Sequence, residues 1–191
     1  MKLIERAKAI ILSPASEWRV IAAEPNDTTG LYLRYAVPLA AASALASFIG
    51  LSMIGRMLGY AGGLGWALGS SVMGFVFSMI SLFVIARLAA FLAPKFGGVA
   101  DEGAALKLVI YANTPGWVAS LFFIVPPLGF LAPLGLWGIY VFWLGVGPLL
   151  HVPPEQKFTY VLALAAVAIV LSLIISPWAI VLDLIISAFL R

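Results

Sequence analysis

The chain has 191 residues, 63% hydrophobic and 10% charged, with a net charge of +3. A soluble domain is about half apolar and about a quarter charged; nineteen charged side chains cannot give this one a water-facing skin, so lipid must cover most of its surface. Eleven Lys and Arg spread over long apolar runs form no basic patch, so no nucleic-acid partner is expected, and zero cysteines exclude disulfides, thiolate metal sites and a Cys nucleophile.

In chain order, residues 1–30 are predicted to form short amphipathic helices at the cytoplasmic interface. Residues 2–12 place Leu3, Ile4, Ala7, Ile10 and Ile11 on one side, away from Lys2, Glu5 and Lys8. Ser13-Pro14 then reads as an N-cap with proline at the first helical position. A second stripe follows at Ala15, Trp18, Ile21 and Ala22, with Glu17 and Arg19 off it. Such helices lie in the membrane interface or pack on the cytoplasmic face of a bundle. No cleavable signal peptide is expected, because the first thirty residues are rich in charge and lack a long apolar stretch.

A hydrocarbon core of about 30 Å takes about 20 apolar helical residues. Five segments meet that length: 31–54, 64–93, 104–125, 128–150 and 158–180. The fold class expected is therefore an all-α integral membrane protein: a five-transmembrane-helix bundle over 31–180, with short amphipathic N-terminal interfacial helices. Residues 181–191 are expected to be a short tail outside. Pro126-Pro127 leaves almost no loop between the third and fourth spans, which makes them antiparallel neighbours. With the N-terminus inside, nine Lys and Arg fall on inside segments, and only Arg56 and Arg191 fall outside. Positive charge stays in the cytoplasm, so an inner-membrane protein with a cytoplasmic N-terminus and an outward C-terminus is expected.

Three groups of residues stand out as candidate sites. Ala42, Ala46, Gly50, Gly65 and Gly69 recur at four-residue spacing on the first two spans, the pattern of a close helix-packing face within one chain or between two. Asn113, Thr114 and Pro115 form a polar helix break in the third span, since Pro115 cannot donate to the carbonyl of Tyr111. Transporters use such breaks as solute sites, and structural kinks use them too. Trp18, Tyr32 and Tyr35 fall where aromatic anchors sit at the membrane interface.

No Asp or Glu is committed to the bilayer centre, which argues against a proton relay. His151 is the only histidine, so no metal site is expected. No nucleophile-elbow or phosphate-loop motif is present, so no catalytic residue, cofactor or enzymatic activity is expected.

The run Leu12-Ser-Pro-Ala-Ser-Glu-Trp-Arg-Val-Ile21, the helix-three segment Tyr111-Ala-Asn-Thr-Pro115, and Tyr140-Val-Phe-Trp-Leu-Gly-Val-Gly147 together resemble the bacterial branch of the Yip1 family. The resemblance implies five spans and the same orientation as the charge count. Eukaryotic members act in vesicle traffic and bind small Rab GTPases, through proteins with a longer N-terminal extension than the thirty residues here. Rab binding is therefore not carried over, and the family pattern supplies no catalytic residue.

Two functional readings follow. The first is a non-enzymatic scaffold or membrane-organising protein, whose partners are membrane lipids, other membrane proteins or a second copy. The second is a small channel or carrier with its path at the Asn113-Thr114-Pro115 break; a weaker third is lipid handling in a groove beside that helix.

Overall fold

The computed structural model describes residues 3–58 and 63–189, and every regular element among them is helical. Two ten-residue helices open the chain, α1 (Leu3–Leu12) and α2 (Pro14–Ala23). They meet at Ser13, where Pro14 takes the first turn and forfeits no hydrogen bond by lacking an N–H. The Ser13 side chain makes no capping bond. Asp27 does cap: its carboxylate accepts the Gly30 N–H at 2.8 Å and starts α3 (Thr28–Leu31). A π-helical stretch, Tyr32–Ala36, carries α3 into α4 (Val37–Leu58).

α5 (Gly63–Leu92) is continued by a 3-10 turn, Ala93–Phe96, and stopped by Gly97, whose φ of 75° suits a residue without Cβ. α6 (Glu102–Ala112) is capped by the Asp101 carboxylate on Ala104 N–H at 2.9 Å. After α7 (Thr114–Ser120) the chain runs in 3-10 geometry through Leu121–Ile124 and Pro126–Leu136. α8 (Trp137–Leu150) and the long α9 (Pro154–Phe189) complete it.

Three helical stretches among the described residues are long and apolar enough to cross a membrane: Thr28–Ile54, Leu64–Phe96 and Pro127–Leu150. The expected third span, 104–125, is not one helix. It breaks at Asn113 into α6 and α7, each short of the about 20 residues a crossing takes. The expected fourth span, 128–150, spends its first part in 3-10 geometry, with Pro133 inside it. α9 exceeds its expected bounds at both ends, so most of the expected tail at 181–191 is helical. The first expected turn is shortened by α4 reaching Leu58, and Gly59 and Tyr60 lie outside the described residues.

One end of the bundle gathers several junctions. Arg87 near the end of α5 pairs with Glu102 at the start of α6 at 2.7 Å. The Val99 N–H donates to the carbonyl of Leu150 at 2.8 Å. Gly103 packs so closely on the Asn26 side chain that a Cβ there would lie 2.8 Å from its nitrogen. The α6–α7 leg runs away from this end, reverses at Val125-Pro126, and returns beside itself through Pro126–Leu136 and α8.

The interior is built largely from small residues, including Ala86, Ala89 and Ala90 on α5, Ala93 in the turn after it, and Ala104 and Ala105 on α6. Small side chains allow the close backbone approach that packs helices in lipid. Leu68, Val72, Val76, Ile80 and Phe83 form an exposed stripe down α5 at three- and four-residue steps. Water would penalise that face, whereas hydrocarbon does not.

Candidate functional site

The N-terminal helix pair is built into the bundle. Its inner face reads Leu3, Arg6, Ala7, Ile10, then Pro14, Glu17, Trp18 and Ile21, stepping by three and four through the Ser13 junction. This corrects the expected stripes: Ile4 is 77% exposed, and Ala15 and Ala22 also face outward. Arg6 and Glu17 turn inward instead, because each neutralises the other.

Trp18, expected as an interfacial anchor, is 1% exposed. Its indole N–H donates to the backbone carbonyl of Val141 on α8 at 2.8 Å. Gly145 makes the room: a Cβ at that position would lie 2.6 Å from the indole ring. Trp137, at the far end of α8, donates from its indole nitrogen to the Ile11 carbonyl at 3.0 Å. Trp137 precedes Leu150 by thirteen residues, about 20 Å along a helix. α1 also touches α7 beyond the Asn113 break. The α1–α2 pair thus lies along the flank of α6–α8 and is not a cap on their ends.

Between this pair and the bundle sits a buried ionic group. Arg6 is hydrogen-bonded to Glu17 and to Glu24, with its guanidinium 5.8 Å from the centre of the Tyr111 ring. Burial opposes the charge on Arg6, yet Tyr111, Glu24 and Glu17 together outweigh it and raise the Arg6 pKa. Lys107 on α6, 5% exposed, donates to the carbonyls of Ile21 and Glu24 that end α2. Sequence reading missed this group by sorting charge from apolar residues helix by helix. Arg6, Glu17 and Glu24 are 11 and then 7 residues apart, whole helical turns, so one continuous wheel through Ser13 would have aligned them.

The expected polar break exists. The Asn113 N–H still bonds back to Val109 and Ile110 at 3.1 and 3.2 Å, and α7 restarts at Thr114 with Pro115 in its first turn. Thr114 is fully buried and shares a 2.9 Å hydrogen bond with the Tyr35 hydroxyl. Tyr35 in turn stacks edge-on against Tyr111 at 4.8 Å. Tyr32 donates to the Met79 carbonyl of α5 at 2.6 Å. Both tyrosines therefore tie the first span to its neighbours. The Asn113 side chain makes no hydrogen bond to the described residues. It lines a cavity of about 370 Å³ between α5, α6, α8 and α9, whose wall is otherwise apolar apart from Ser78 and Ser81.

Of the expected packing face, Ala46, Gly50 and Gly69 are buried, Gly65 is half-buried, and Ala42 faces outward. Gly50 accepts the Phe123 backbone where a Cβ could not fit. His151 is exposed, at a left-handed φ of 54°, closing α8. No cluster of metal-binding side chains occurs among the described residues.

The family model described as the Yip1 domain matches residues 8–176. No curated protein and no solved structure matches the chain.

Proposed function

The chain belongs to the Yip1 family, and from that premise we propose that it is a non-enzymatic, multi-pass membrane-organising protein that widens the cytoplasmic leaflet with its α1–α2 wedge. In this reading the chain crosses five times. The α6–α7 leg and α9 supply the two crossings beyond the three long apolar helices. The N-terminus and the Arg87–Glu102 end face the cytoplasm, as the Lys and Arg distribution favours. In this reading it is a bacterial inner-membrane protein.

One observation carries the proposal: α1 and α2 lie along the flank of α6, α7 and α8. A 30 Å hydrocarbon core measured up α5 from Gly63 at 1.5 Å per residue ends near Phe83. Phe83 shares a cleft with Leu106 of α6, and α1–α2 pack alongside α6 and the residues beyond it. With the N-terminus inside, this reading sets the pair in the cytoplasmic leaflet. Its outer face carries Ile4 and Leu12, 77% and 67% exposed, with Lys8 between them, and Val20 beside Arg19 on α2. Apolar residues alternating with cations suit the acyl–headgroup boundary. Protein cross-section added to one leaflet favours curvature toward that side.

Reconstituted vesicles test this. The full chain is expected to shift the vesicle diameter distribution toward smaller sizes, and a variant with Ile4→Ser, Leu12→Ser and Val20→Ser to restore the protein-free distribution. Identical distributions for both proteins would remove the proposal.

The 370 Å³ cavity at Asn113 favours a second reading, a carrier for a small apolar solute with one hydrogen-bonding group. Solute flux through reconstituted protein, with Asn113→Leu as control, separates it from the first.

A further inference from the structure

A second cavity, of about 240 Å³, lies where α1, the 24–31 turn, the start of the first span and α6 meet. Its wall differs from that of the cavity at Asn113. It holds three cations, Arg6, Arg34 and Lys107, two carboxylates, Glu24 and Asp27, and the phenol of Tyr111.

Several of these groups have bonding capacity left over. Tyr111 is 7% exposed, yet its hydroxyl makes no hydrogen bond to the described residues; only its ring is engaged, by Trp18, Tyr35 and Arg6. The hydroxyl opens onto the cavity, so it is free to donate to a group that enters there. Arg34 is exposed and forms no ion pair with the described residues. On the acidic side, Asp27 uses one oxygen for its helix cap and Glu24 one for Arg6. The other oxygen of each carboxylate has no hydrogen bond to the described residues.

The outer wall leads onto lipid. Arg34 heads an exposed stripe that continues through Pro38, Ala41, Ala42 and Leu45 down the first span, at helical spacing. Its small residues leave a shallow track for an acyl chain. Ala42, which sequence reading assigned to helix packing, is part of that track.

We propose that this cavity binds the headgroup of a zwitterionic phospholipid, a phosphate diester carrying an ammonium. Arg34, Lys107 and the Tyr111 hydroxyl hold the phosphate oxygens, Glu24 and Asp27 hold the ammonium, and one acyl chain follows the stripe from Arg34 to Leu45. Glu24 is already paired with Arg6, but a purely anionic headgroup leaves Asp27 without a counter-charge and offers nothing to the second oxygen of Glu24, so a zwitterion fits the wall better. The site rests on the topology proposed above, which sets residues 24–34 at the cytoplasmic lipid surface. It deepens that reading by naming the lipid that the wedge region holds.

The test is native mass spectrometry of the intact chain, purified in micelles containing equal amounts of phosphatidylethanolamine and phosphatidylglycerol. One phosphatidylethanolamine is expected to survive detergent removal. Its retention should fall about tenfold in Arg34→Gln, whose guanidinium has no ion-pair partner among the described residues, and about fivefold in Tyr111→Phe, which keeps the ring packing. Soluble phosphoethanolamine is expected not to displace it, since the acyl track contributes to binding. Equal retention of phosphatidylglycerol, full displacement by soluble phosphoethanolamine, unchanged retention in both variants, or no retained lipid would each overturn the site. A Gln156→Cys probe, exposed in the turn at the Arg87–Glu102 end, distinguishes the two failures. Labelling from the cytoplasmic side with no retained lipid ends the lipid site alone; labelling only from the opposite side ends the topology on which it rests.

Discussion

The indole nitrogen of Trp18 and the backbone carbonyl of Val141, 123 positions apart in sequence, lie 2.8 Å apart. That carbonyl belongs to α8, and the indole reaches it only because residue 145, one turn on, is glycine. Gly145→Ala is therefore expected to push α2 off the bundle and cost about 1–3 kcal/mol, the range for overpacking a tight interior. Trp18→Ala is expected to cost more, about 3–5 kcal/mol. Thermal unfolding in one fixed detergent checks both, and the order of the two midpoints is the informative result.

Arg6 holds two carboxylates at once. Arg6→Met leaves Glu17 buried with no counter-charge, whereas Glu24 is partly solvated and tolerates the loss better. A destabilisation of about 2–4 kcal/mol is expected for the single substitution. Arg6→Met with Glu17→Met should be less harmful than Arg6→Met alone, because removing both partners leaves no buried charge. A double variant worse than the single would mean that the pair contributes packing and not charge.

Tyr35 and Thr114 share one buried hydrogen bond between the first span and the start of α7. Tyr35→Phe and Thr114→Val each delete one side of it. In a double-mutant cycle read by unfolding, the coupling is expected to be about 1 kcal/mol. A coupling near zero would show that Thr114 satisfies itself on its own helix.

His151 ends α8 in the left-handed region, where a residue with a Cβ is strained. It is exposed, so little is lost by removing its imidazole. His151→Gly is expected to raise stability by about 1 kcal/mol. A fall in the unfolding midpoint would give the imidazole a role in the fold.

The apolar runs made the membrane class and most span positions legible, since run length is a direct physical requirement of the bilayer. Pro115 announced the break in the third leg because proline lacks the donor a helix needs there. The 3-10 stretch from Pro126 to Leu136 was not legible, because its apolar composition reads like any span. The ionic group around Arg6 was hidden for a different reason. Charge on an amphipathic helix is expected to face water, and only the fold shows that Arg6, Glu17 and Glu24 converge. Ile4 was misplaced by the same reasoning, because its hydrophobicity is satisfied as well by lipid as by protein.

The chain has no native cysteine, so single-cysteine probes report one position each. Leu12→Cys, labelled with an environment-sensitive fluorophore in the full chain in vesicles, tests most directly whether the outer face of α1 lies in the cytoplasmic leaflet. Quenching by shallow lipid-borne quenchers, with protection from aqueous iodide, is the result the wedge predicts. Free quenching by iodide and none by lipid would place α1 in water and contradict it.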